Sequence, residues 1–159
     1  FQELNHHRFY PRIEKAGLYS VFEQVSLARK VNRSPVDIFH APHYIVPVWL
    51  KPPSVVTIHD VIHLVYPKSL LHKSYAYFQI KHVIKTAGAV ITPSFFSKRE
   101  LIRLFPGASD KTVVIKYGIE EVFAQRSGKT TWEEEKQLQL PANYLFYAGN
   151  HKPHKNLNQ

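Results

Sequence analysis

A histidine and an aspartate, His59 and Asp60, close a short apolar run, Ser-Val-Val-Thr-Ile, at residues 54–58. Val55, Val56, Thr57 and Ile58 are all β-branched, and Pro52-Pro53 bounds the run on its N-terminal side. Such a run reads as a buried strand over residues 54–60. In open α/β sheets, ligands bind outside the carboxyl ends of the strands. A His-Asp pair placed there can exchange protons or hold an anion near neutral pH. The competing assignment, slightly favoured on these residues alone, makes Asp60 the cap of the next segment and His59 a satisfied histidine on the rim. A second chemical stretch lies at residues 144–157, where Tyr-Leu-Phe-Tyr-Ala is followed by Gly149-Asn150-His151-Lys152-Pro153-His154-Lys155. A strand, a basic loop and a helix start make a natural phosphate site, because free N–H groups and lysine charge point the same way. An exposed basic loop is the competing reading, and it is favoured on those residues alone.

The elements that would position these groups follow from periodicity. Leu18, Val21, Phe22, Val25 and Ala28 keep helical spacing, and the helix should stop near Asn32, ahead of Ser34-Pro35. Residues 36–40 read as a strand, leading into a loop that carries His40 and His43. The apolar but proline-broken stretch 44–50 reads as a loop or short helix against the sheet. A helix is predicted over residues 71–86, with Ala76, Ile80, Val83 and Ile84 as its stripe. Residues 89–92 read as a strand, and 94–105 as a helix. Ser94 is a good N-cap for it, while Ser97 and Glu100 have capping-box spacing as a rival start. Residues 112–116 and 144–148 read as two further strands. Strands alternating with helices at this spacing mean a parallel α/β sheet. No G-x-G-x-x-G and no P-loop occurs.

Composition removes several function classes. The chain has 159 residues, 44% apolar and 21% charged, which is one globular domain by length and more than enough for a core. Cysteine is absent, which excludes a disulfide framework and a thiol nucleophile and suits a reducing compartment. The purely apolar runs are too short to span a bilayer. The 21 Lys and Arg against 12 Asp and Glu give a net charge of +9. That surplus calls for anionic partners such as phosphorylated substrates, acidic lipid or nucleic acid. The charge is spread along the chain with no long basic run, and most aromatics fall on apolar stripes, so nucleic acid is not the expected partner. Histidine pairs with ligand-like gaps occur at His40 and His43, His59 and His63, and His151 and His154. No His-Glu-x-x-His accompanies them, and no metal is expected.

Taken together, several short words resemble glycosyltransferase family four, whose members have the GT-B fold and use nucleotide sugars with retention. They are Asp37-Ile-Phe-His40-Ala-Pro42, Val56-Thr-Ile-His59-Asp60, Ile91-Thr-Pro-Ser94-Phe-Phe-Ser97-Lys-Arg-Glu100-Leu101, Val114-Ile-Lys-Tyr-Gly118-Ile119, and Tyr144-Leu-Phe-Tyr-Ala-Gly149-Asn150 with Pro153-His-Lys155-Asn156-Leu157. Their order and spacing across residues 22–157 carry the resemblance. It implies a Rossmann-like parallel sheet of GT-B type, truncated at both ends. Residues 1–118 would be the C-terminal part of the acceptor-binding domain, 119–142 an interdomain linker, and 143–159 the first strand and helix start of the donor-binding domain. The family's glycine-rich loop would lie upstream and its paired-glutamate motif downstream, so this stretch alone is expected to be inactive.

By the same resemblance, His59 would approach the donor sugar and the reaction centre, with Asp60 orienting it or touching acceptor. Lys155 would bind the donor diphosphate, and Gly149 would let backbone approach the phosphates. Asn150 stands where many members carry arginine, which weakens a two-cation clamp unless His151, Lys152 or His154 substitutes. His40, His43, Ser94 and Ser97 would face the acceptor cleft, with capping the first job of the two serines. The implied reaction moves a hexosyl group, mannosyl or glucosyl, from a nucleotide-diphosphate sugar to a saccharide or lipid-linked acceptor, with no cofactor or metal. The expected place is the cytoplasm, with peripheral contact to the anionic inner face of a membrane. The alternative is a non-catalytic basic α/β module that binds phosphorylated or nucleic-acid ligands.

Overall fold

The computed structural model describes residues 10, 20–119, 144–149, 151–152 and 155–157. The chain divides into two compact units, Phe1–Lys116 and Tyr117–Gln159. The first unit is built on a four-stranded parallel sheet in the order β1-β2-β3-β4. The strands are β1 (Phe39–Ala41), β2 (Ser54–Thr57), β3 (Ala89–Thr92) and β4 (Thr112–Val114). Strand order follows chain order, so every connection crosses from one end of the sheet to the other. All four carboxyl ends therefore share one edge.

The helices start where side chains satisfy their first N–H groups. In α1 (Val21–Asn32) the Ser20 hydroxyl accepts from the Glu23 amide at 3.0 Å. In α3 (Leu70–Thr86) Ser69 takes the same role toward His72. In α4 (Phe95–Leu104) the cap is Ser94, which accepts from the Ser97 amide at 3.0 Å. A serine cap is worth about 1 kcal/mol over alanine. The rival start at Ser97 is not used. Glu100 pairs with Arg103 at 2.9 Å, and the Ser97 hydroxyl is engaged elsewhere. Buried Ala76, Ile80 and Val83 of α3 and Leu101 of α4 meet Val56, Ile58 and Val90 in the core. A 3₁₀ segment at Pro106–Lys111 turns the chain into β4, and the Lys111 ammonium donates to the Ala87 carbonyl at 2.8 Å.

Several expected boundaries move. The strand expected at 36–40 forms at Phe39–Ala41, and the strand expected to reach Asp60 ends at Thr57. Backbone pairing still runs one step further, with the Ile58 amide donating to the Ile91 carbonyl at 2.8 Å. Likewise β4 stops at Val114, and Ile115 adds one bond to the Thr92 carbonyl. A one-turn helix, α2 (Ile62–Val65), follows β2 and was not anticipated. Residues 44–50 form no helix, yet Tyr44 and Val46 are buried in the core.

In the second unit, the strand expected at 144–148 is absent: residues 144–148 have no regular structure and their side chains are exposed. A strand persists only where a neighbour takes up its N–H and C=O groups, and the described residues give this stretch none. The linker expected at 119–142 falls, apart from Ile119, outside the described residues.

Candidate functional site

The carboxyl edge of the sheet gathers residues from three of its connections. His59 follows β2, His43 follows β1, and Ser94 and Ser97 open α4 after β3. The His59 ring nitrogen Nε2 lies 2.8 Å from the Pro42 carbonyl oxygen. A carbonyl can only accept, so Nε2 carries the proton. In the neutral ring this leaves Nδ1 as an acceptor. The His59 backbone carbonyl is gripped in turn by the Ser97 hydroxyl at 2.9 Å. Ser94 and Ser97 are 3.1 Å apart through their hydroxyls, so the helix cap and the histidine support are one network. His59 is thus tied to the β1 connection on one side and to α4 on the other, while its side chain stays open to solvent.

Asp60 turns the chain just ahead of α2, whose N-cap position is Val61. The Asp60 Oδ1 accepts from the Ile62 amide at 2.9 Å. That turn sends the chain back over the edge and brings His63 against Tyr44, ring centroids 5.9 Å apart in an edge-on arrangement. His43 also meets Tyr44, with ring centroids 4.1 Å apart and the planes tilted by 37°. His40 is on β1 itself, and its Nε2 sits 3.0 Å from the Thr57 hydroxyl across the sheet, so it braces the two strands beneath the edge.

The edge is therefore a histidine cluster. Partial burial pushes the His43 pKa below its ordinary 6.5, the nearby His63 and His59 push it the same way, and Asp60 opposes them. His63 appears in the sequence only as a neighbour of His59 in number. Its place beside His43 depends on the turn of α2, which no periodicity could show. Stability should follow the His43 shift. The fold favours the neutral ring, so this contribution is complete above pH 6.5 and is lost as pH falls through the lowered folded value. Thermal melts on either side of that window should show a loss on acidification that shrinks in His43→Gln. An equal loss in the variant would contradict the assignment.

The residues expected to meet the donor diphosphate belong to the second unit. Lys155 is exposed, and its amide donates to the Lys152 carbonyl at 2.8 Å, which begins a turn. Asn156 takes a left-handed φ of 52°, which asparagine tolerates better than most residues. Gly149 is closely approached by its neighbour: a Cβ there would lie 2.6 Å from the Tyr147 hydroxyl oxygen, so that ring would have to swing away. Asn150 lies outside the described residues. Among the described residues, no group of three or more His, Cys, Asp or Glu side chains is arranged to hold a metal ion.

The family model described as Glycosyltransferase Family 4 matches residues 2–122. The chain is 28% identical over 123 residues to the O-antigen chain mannosyltransferase B of Escherichia coli, a match that covers 76% of this chain and 32% of that protein. The chain therefore spans about a third of the length of that curated relative. No solved structure matches it significantly. A parallel sheet with flanking helices is consistent with a GT-B glycosyltransferase domain, and the family match over most of its length means that this chain belongs to glycosyltransferase family 4.

Proposed function

We propose that the complete protein transfers a hexosyl group, mannosyl in the first instance, from a nucleotide-diphosphate sugar to a saccharide or lipid-linked acceptor with retention of configuration. One observation carries the reading: His59 is held at the carboxyl edge by the Pro42 carbonyl and Ser97, in a chain of this family. Held in this way, His59 accepts a hydrogen bond from a sugar hydroxyl and so orients it. The acceptor hydroxyl attacks from the face that the diphosphate leaves, and a donor phosphate oxygen takes its proton. Lys155 offsets the charge that grows on the departing nucleotide, and Gly149 admits the phosphates. That the relative is a mannosyltransferase supports mannose. Calorimetry of the complete protein with a panel of nucleotide-diphosphate hexoses should find one that binds saturably. Lys155→Ala should weaken it by about 10- to 100-fold, the value of a charged hydrogen bond. Failure of every nucleotide sugar to bind would defeat the proposal.

We further propose contact with the anionic inner face of a membrane. No acidic residue occurs between Asp60 and Glu100, whereas Lys68, Lys73, Lys81, Lys85, Lys98 and Arg99 all do. Leu70 and Leu71, at the start of α3, are 81% and 84% exposed. A helix that follows a parallel strand starts at the carboxyl edge, so these leucines lie at the same end of the sheet as His59. Apolar residues that insert among basic ones are the chemistry of interfacial binding, at about 1 kcal/mol for each basic residue near an acidic surface. Among the described residues, no helix is long and apolar enough to cross a membrane. The protein should sediment with phosphatidylglycerol vesicles and not with phosphatidylcholine. Leu70→Glu with Leu71→Glu should abolish this. Sedimentation unchanged by the two substitutions would refute the contact.

A further inference from the structure

At the opposite end of the sheet, α1 finishes and β2 begins beside a groove of about 310 Å³. Its floor includes Ala28, and its walls carry Arg29, Arg33, Lys51 and Trp49. Among the described residues no carboxylate lines it, and none pairs with Arg29, Arg33 or Lys51. The Trp49 side chain is 64% exposed. Asn32 holds the two walls together. Its Nδ2 donates to the Trp49 carbonyl at 2.8 Å, and its Oδ1 accepts from the Lys51 amide at 2.8 Å. One amide side chain thus fixes the backbone on both sides of Leu50, and the groove is formed before any ligand arrives.

The helix macrodipole alone explains cations in the last turn of α1. It does not explain Lys51, which comes from a different segment, nor an exposed tryptophan beside it. Arg29 and Arg33 stand four residues apart, on one face of the helix. Guanidinium groups there, with an ammonium across the groove, suit an oxyanion, which arginine can bind through two parallel hydrogen bonds. The indole offers a flat apolar surface for the face of a pyranose ring. Single-stranded nucleic acid fits less well, because it is held by a succession of stacking platforms, and among the described residues this groove has one indole.

We propose that this groove binds an acidic saccharide, its ring on Trp49 and its carboxylate or phosphate between Arg29, Arg33 and Lys51. It lies at the far end of the sheet from His59, so it would hold a glycan without presenting it to the transfer centre, and it does not depend on the sugar transferred there. The probe is trigalacturonate, added to the complete protein carrying Trp132→Phe so that, within this stretch, Trp49 reports by fluorescence. Saturable quenching by trigalacturonate, weakened by salt and absent with a neutral trisaccharide of the same length, is the expected result. Arg33→Gln and Lys51→Gln should each weaken it by about tenfold, the loss of one charge-assisted hydrogen bond. Trp49→Ala, followed by calorimetry, should remove binding while the circular dichroism stays unchanged. Equal binding of the neutral sugar, tighter binding of oligothymidylate, no quenching at all, or full affinity in Trp49→Ala would each overturn the proposal.

Discussion

Replacing His59 by alanine in the complete protein should lower kcat by about 100- to 1000-fold, the usual cost of one preorganised polar group at a reaction centre. Donor affinity should change little, because Lys155 and Gly149 are assigned to the diphosphate and belong to another unit of the chain. The geometry makes a second variant informative. His59 donates through Nε2 to the Pro42 carbonyl. Glutamine carries both a donor and an acceptor on one amide, so His59→Gln should recover part of the activity that alanine loses. A purely structural histidine would show a different pattern, with the alanine variant less stable but kcat of the folded enzyme kept in both variants. Steady-state kinetics with the donor varied separates the outcomes, and an alanine variant within about threefold of wild type would remove His59 from the centre, since that is under 1 kcal/mol of barrier.

The second large effect is on stability. Leu101 is 0% exposed and is the buried side chain of α4. Partly buried Ile102 and Leu104, and the Lys98 ammonium, which donates to the Thr112 carbonyl at 2.6 Å, add to its anchorage. Leu101→Ala should cost about 2–5 kcal/mol, as deleted core methylenes leave a cavity. At about 3 kcal/mol, the melting temperature falls by about 10 °C for a unit of this size. The same helix supplies Ser97 to the His59 carbonyl, so activity should fall with it at temperatures well below the melt. Leu101→Met, which keeps the volume, should cost less than about 1.5 kcal/mol. Calorimetric melts of the three proteins check the series, and an alanine variant that melts with wild type would show that α4 is anchored elsewhere.

What the sequence could and could not show follows from the range of each signal. Strands buried on both faces read as short β-branched runs, and Ala89–Thr92 forms just as its composition predicts. The stripe of Ala76, Ile80 and Val83 repeats over about two turns and marks α3 to within one residue. Ser94 is visible as a cap because the apolar period starts right after it. By contrast, α2 has four residues, about one turn, and a single turn has no period to detect. Residues 144–148 are apolar enough for a strand, but pairing is a property of the neighbour as well as of the run. The candidate site shows the same division. His59, Ser94 and Ser97 are all nameable in sequence, since each sits just beyond a strand. Their mutual hydrogen bonds, and the crowding of His43 by His63, join residues that are up to 38 positions apart and exist only after the edge is assembled.

The most direct test of the central claim is transfer itself. The complete protein, incubated with nucleotide-diphosphate hexoses and a membrane extract or saccharide acceptor, should release nucleoside diphosphate in step with a new glycosidic bond. The proton spectrum of that product should show the anomeric configuration of the donor. Product of inverted configuration would contradict retention, and nucleotide-sugar binding with no glycosidic product across the panel would leave a basic binding module as the function of this chain.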